Sequence, residues 1–188
     1  MASSNSIPPL GVASNANGNS NNGGYNVFVY GSLLADDVVR VLLHRIPQAS
    51  PSTLHGYSAA LVTWIIHIIH QRACLSAILP VENKKVTGRV LMGITAPELD
   101  ILDKFEDFEY EKRAVDVSLL DTSEVLQAYT YVWAKSDDPN LYGEWDFKVW
   151  KESKMKDFVN MTMGFVEEQD SKPRVATYES YYDNKHKE

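Results

Sequence analysis

Between residues 25 and 169 the apolar positions change period several times, and each change marks an element. Val27, Phe28, Val29 and Tyr30 form a short β-branched and aromatic run that stops at Gly31, as a strand entering a turn does. Val38, Val39, Leu42 and Leu43 then return at helical spacing, with Asp36 or Asp37 as the cap and Pro47 forbidding continuation. Runs rich in β-branched and aromatic residues predict strands over 54–69 (with a break inside it), 75–79, 86–94, 114–120 and 125–133. Their short connections predict antiparallel pairing. Thr95 and Glu98 spell a capping box, with Pro97 tolerated in the first turn, and open a helix that runs to about Phe108. A longer amphipathic helix is predicted over 144–169, with Trp150, Phe158, Met161 and Phe165 towards one side.

The flanks read differently. Residues 1–24 are rich in Asn, Ser and Gly and hold too few large apolar groups to offset the entropy of ordering, which predicts a disordered low-complexity tail. Residues 170–188 carry Tyr178, Tyr181 and Tyr182 among charges and form a C-terminal tail. One domain, 25–169, is expected between them, since a chain of 188 residues that is 44% hydrophobic can bury a single core.

Charge and cysteine usage narrow the function classes. A net charge of −7 and a pI near 5.2 argue against nucleic acid and anionic lipid as partners. The lone cysteine, Cys74, has no intramolecular disulfide partner and reads as a small buried hydrophobe. The chain opens without a basic and apolar leader, and its longest apolar run, 59–69, is too short for a membrane helix, so a cytoplasmic protein is expected. By the same token the sequon at Asn160, Met161 and Thr162 reads as accidental.

Candidate chemistry gathers at two places. On the helix after the capping box, Leu99, Ile101, Leu102, Phe105 and Phe108 share one half, and Glu106 falls among them while Asp100, Asp103, Lys104 and Asp107 face away. A carboxylate on a core-facing stripe loses hydration, which raises its pKa and makes it a usable base. The competing reading is a structural ion pair with Arg113, or a helix that frays first. At the end of the first strand, Tyr30-Gly31-Ser32-Leu33 permits a tight turn whose backbone N–H groups can converge on a carboxylate ligand. His67 and His70 lack a nearby third ligand, so no metal site is expected, and neither a phosphate-binding glycine loop nor a nucleophilic cysteine signature is present.

Together VFVYGSLL and LDKFEDFEYEKR, about 75 residues apart, resemble the γ-glutamylcyclotransferase-like family, particularly its plant avirulence-induced branch, and VENKKVTGRVLMGI adds to the likeness. The resemblance covers roughly residues 26–169. It implies an α+β fold, a small, mainly antiparallel β-barrel with flanking helices. It also implies that Tyr30, Gly31, Ser32 and Leu33, extending to Leu34 and Ala35, bind the α-amino acid end of a small γ-glutamyl substrate. Glu106 matches the family's proton acceptor. The implied reaction cyclises a γ-glutamyl group to 5-oxoproline, releases an amine or amino acid, and needs no cofactor. Residues 63–76 depart from the pattern: an apolar, histidine-bearing stretch stands where this branch has a polar, basic one leading to Tyr-Pro-Ala-Ile. The alternative reading is a catalytically silent binder of a small ligand, or a stress-response interaction protein of the same fold.

Overall fold

The computed structural model describes residues 24–66 and 71–171; the side chains of 63–66 and 71–74 lie outside the description, as do His67, His70 and both terminal tails. The chain runs β1 (Tyr25–Val29), a 3-10 turn (Gly31–Leu34), α1 (Asp36–Leu43), β2 (Ala49–Ile66), β3 (Gln71–Ile94), α2 (Ala96–Glu106), β4 (Tyr110–Leu119), β5 (Val125–Trp133), β6 (Leu141–Tyr142), α3 (Phe147–Ser153) and α4 (Met155–Ser171). Strand order is β3-β1-β5-β4-β2, and β2 pairs back onto β3, so five strands close into a barrel. The mainly antiparallel barrel with flanking helices expected from the resemblance is therefore the observed fold. One junction departs from antiparallel pairing, the parallel contact between β1 and β5 at Val27 and Tyr129.

Alternation along β1 divides two cores. Phe28 and Tyr30 point into the barrel with Leu54, Ile78, Val86, Val90, Val117 and Val132, a cluster drawn from all five strands and no helix. Val27 and Val29 point the other way, where Val38, Val39, Leu42 and Leu43 of α1, Leu102 of α2 and Phe158 and Phe165 of α4 cover the barrel.

Several expected elements change shape. Runs 75–79 and 86–94 join into the single strand β3, because β2 pairs with it along nearly its whole length; the register shifts between His55 and Tyr57, so that residues 81–84 oppose Gly56 alone. The predicted break in 54–69 becomes this irregularity, and β2 runs unbroken from Ala49 to Ile66. The described parts of the departing stretch, 63–66 and 71–76, lie on these two strands, with Thr63 opposite Cys74 and Ile66 opposite Gln71. The single helix expected over 144–169 is two: Asp146 caps α3 by accepting from Lys148 and Val149 N–H, and Lys154 (φ −130°) separates α3 from α4. Trp145 and Phe147 meet Trp150 at centroid distances of 5.7 and 5.8 Å, and Trp150 meets Phe158 at 5.4 Å. Neither Asp36 nor Asp37 caps α1; Ala35 takes that position and both carboxylates sit in the first turn, where the helix dipole favours them.

The capping box forms as spelled: Thr95 Oγ1 accepts from Glu98 N–H, and Glu98 accepts from Thr95 N–H at 2.8 Å. Arg45 adds a bidentate contact to Glu98, at 2.5 and 2.8 Å, and holds its carboxyl down to about 2. Thr95→Ala is expected to lower stability by about 1 kcal/mol in urea titration, with the Arg45 contact limiting the loss.

Candidate active site

One cavity opens where β1 ends, and it leaves about 80 Å³ for the centres of water-sized groups, room for several waters or a small ligand. Tyr30, Ser32 and Leu33 form one wall, the last turn of α2 with Phe105 and Glu106 a second, and Phe158, Met161 and Phe165 of α4 a third. Leu75 and Ser76 of β3, Tyr110 of β4 and Tyr131 of β5 complete it. The departing stretch thus reaches the cavity through its last two residues.

The turn is shaped by Gly31. Its φ of +67° lies in the left-handed region, and a Cβ there would fall 1.6 Å from Ser76 Oγ, so the residue must be glycine both for its backbone and for its neighbour. The chain then enters the 3-10 turn, whose first amides have no partner within the turn itself. Arg89 braces the turn from below, donating to Leu33 O at 3.1 Å and to Asp36 Oδ1 at 2.6 Å. Of the six residues the sequence put in this loop, Tyr30, Ser32 and Leu33 line the cavity. Gly31 is buried behind them, Ala35 packs in the helical layer, and Leu34 lies off the cavity.

Glu106 is the last residue of α2, half-buried and lining the cavity. The helix ends there, two residues before the expected Phe108, because Asp107 turns away with φ 57° and ψ −165°; Phe108 accordingly swings out to 68% exposure. The alternative ion pair does not form, since Arg113 is engaged by Glu111 at 2.7 Å. Burial alone pushes the Glu106 carboxyl up to about 8.

Three tyrosines surround that carboxyl. The Tyr30 hydroxyl donates to Tyr131 O at 2.5 Å, and the Tyr110 hydroxyl donates to Ser76 O at 2.8 Å. With these protons committed to main-chain carbonyls, both phenols offer the cavity only lone pairs, and beside a carboxylate they favour a ligand that donates, such as an ammonium. Burial raises both phenols well above their usual range, and the Glu106 charge adds to it. Tyr131 rises for the same first reason, with Asp103 contributing next. Among the described residues no three His, Cys, Asp or Glu side chains are grouped to hold a metal. Nor is any described helix long and apolar enough to cross a membrane.

Sequence reasoning missed Tyr110, Tyr131 and the α4 wall. Tyr110 was within reach, four residues after Glu106 in the same motif. Tyr131 and Phe165 arrive through long-range packing that no local period announces. Asp103, assigned to the outer half of α2, is in fact half-buried and accepts the Tyr131 hydroxyl at 2.8 Å.

The family model described as gamma-glutamyl cyclotransferase, AIG2-like, matches residues 27–147. The chain belongs to this family. Its γ-glutamylcyclotransferase, AIG2-like relatives include AIG2-like protein D of Arabidopsis thaliana, 51% identical over 145 residues that span 77% of this chain and 90% of that one. AIG2-like protein C from the same plant is 43% identical over 161 residues, 84% of this chain and 89% of its own. The solution structure of an Arabidopsis thaliana protein superposes with a TM-score of 0.56 at 37% identity, covering 80% of this chain and 95% of that one.

Proposed function

We propose that this γ-glutamylcyclotransferase-like protein cyclises a γ-glutamyl group to 5-oxoproline, releasing an amine or amino acid, with Glu106 as the proton acceptor. The observation that carries the reading is a carboxyl raised by burial to about 8, in one cavity with the Tyr30-Gly31-Ser32-Leu33 turn. A base poised near the working pH both takes and returns a proton efficiently.

In the proposed reaction the substrate's α-ammonium donates to Glu106 and loses a proton to it. The freed amine attacks the γ-carbonyl carbon five atoms round, and its electron pair forms the new C–N bond as the carbonyl π pair moves to oxygen. Collapse breaks the original amide C–N bond while the proton held by Glu106 passes to the departing nitrogen, and the freed carboxylate then takes the second proton of the ring nitrogen and hands it to the released amine, leaving a neutral lactam and an ammonium product. In this reading the first amides of the 3-10 turn orient the substrate and face the developing oxyanion. The ring closes within one molecule, so the protein's task is orientation, proton transfer and exclusion of bulk water, which the apolar wall of Phe105, Phe158, Met161 and Phe165 provides.

The test is release of 5-oxoproline, followed by mass spectrometry, from a panel of γ-glutamyl amines, γ-glutamyl amino acids and glutathione. Release by the folded protein establishes the activity and its substrate class; silence across the panel leaves a binding protein of the same fold. Where there is turnover, kcat/KM is expected to rise with pH along an acid limb whose apparent pKa is near 8, because only the ionised Glu106 accepts the proton. A limb near 4.5 would mean that the base is an ordinary solvated carboxylate.

A further inference from the structure

Tyr131 stands where the two working walls of the cavity meet, and it is bonded to both. Its carbonyl accepts the Tyr30 hydroxyl at 2.5 Å and so fixes the residue from which the 3-10 turn departs. Its own hydroxyl donates to Asp103 Oδ1 at 2.8 Å, three residues before Glu106 on α2. The second Asp103 oxygen accepts from Lys112 Nζ of β4, and the Asp103 carbonyl accepts from Asp107 N–H at 3.2 Å, closing the last turn of the helix. Lys112 is held in turn 5.5 Å above the Tyr129 ring. The same helix offers a contrast: Asp100 and Lys104 pair with each other along its exposed face.

We propose that Asp103 and Tyr131 form a latch that positions Glu106 against the Tyr30 turn, with Lys112 keeping Asp103 as the acceptor. Neither latch residue has to touch the reacting atoms for this; both act through the placement of Glu106, and the proposal rests on reading Glu106 as the base. Besides the latch, the end of α2 is held by apolar packing, with Leu102 in the helical core and Phe105 against Phe158 and Phe165 at 6.1 and 5.3 Å, and packed side chains slide where hydrogen bonds do not. A displacement of about 1 Å at a reacting group costs on the order of a hundredfold in rate. The groups that face Glu106 are Tyr30 after β1, Tyr110 on β4 and Tyr131 on β5, with Asp103, Asp107 and Glu109 nearby along the chain; α4 contributes only Phe158, Met161 and Phe165. A slackened helix end opens the Glu106 carboxyl further to water.

Tyr131→Phe, Asp103→Ala and the double variant test this, each first shown to be folded by circular dichroism; alanine is used because an asparagine oxygen would still accept the Tyr131 hydroxyl. The latch predicts that each single change lowers kcat about tenfold to a hundredfold with KM within about threefold. The double variant should be little worse than either single one, since both cut one chain of bonds. The acid limb of kcat/KM should move down from about 8 towards 4.5 as water reaches Glu106. Unchanged kcat, additive losses, or a loss with the acid limb unmoved would each overturn the latch, the last showing a merely structural role. Carbon-13 NMR titration of the Glu106 carboxyl in the wild type and in Tyr131→Phe, which removes the donor without changing any charge, reads the latch without turnover. A drop of about one unit or more supports it even if no 5-oxoproline is ever formed, in which case only the cyclotransferase reading fails; a Glu106 titration that does not move overturns it.

Discussion

Glu106→Gln is expected to lower 5-oxoproline release by about 10² to 10⁴, because the amide keeps the shape of the side chain and removes its capacity to take a proton. The same change should stabilise the protein, and the pH dependence of that gain identifies the cause. The Glu106 carboxyl titrates at about 8 in the folded protein against an ordinary value of 4.5. Below 4.5 it is neutral in both folded and unfolded chains and costs nothing. Between 4.5 and 8 the unfolded chain releases the proton while the folded one retains it, so wild-type stability falls as pH rises, and above 8 the deficit is constant. Gln carries no such burden. At pH 9 the variant should exceed the wild type by about 2–4 kcal/mol in urea titration, the range allowing for the partial opening of the side chain to the cavity, and at pH 4 the two should coincide. Turnover within about threefold of wild type would remove Glu106 from the chemistry. A stability gap equal at both pH values would mean that the carboxyl is not desolvated.

Gly31→Ala carries the largest expected cost to the fold itself. At φ +67° a non-glycine residue loses about 1 kcal/mol or more to backbone strain. The added methyl would also sit 1.6 Å from Ser76 Oγ and 2.6 Å from Ser76 Cβ, and Ser76 is buried with its carbonyl already engaged by Tyr110. Together these should lower stability by about 3 kcal/mol or more. Pairing the change with Ser76→Gly separates the two causes: the clash disappears and the strain stays, so stability should return to within about 1–2 kcal/mol of the wild type. Failure of the second change to restore anything would show that the left-handed backbone, and not the crowding, sets the cost.

What the sequence disclosed was what short-range physics decides. The capping box needs only residues 95 and 98, and the inward turn of Glu106 follows from its spacing to Leu99 and Leu102 on one helix. Strands β4 and β5 announce themselves because β-branched residues alternate with polar ones along each. Long-range pairing decided the rest. Pro80 and Asn83 look like the end of a strand, yet the register with β2 carries β3 past them. Lys154 carries no breaker signature, and the division between α3 and α4 follows from how Trp150 and Phe158 pack together. Tyr131 reaches Asp103 across 28 residues of chain, a meeting that neither residue's neighbours foretell.

The order of strands around the barrel has a consequence for how the site comes into being. The β2–β3 and β4–β5 pairs are hairpins or near neighbours in sequence, whereas β1 must slot between β3 and β5, and Thr130 reaches back 102 residues to bond the carbonyl of Phe28. Loop-closure entropy makes such a contact costlier to form than a hairpin. Because β1 delivers Tyr30 and the glycine turn, a nascent chain with every other strand in place still holds only half a cavity. Completion of the barrel and creation of the site are then the same event, so a partly folded molecule has no reactive pocket to expose.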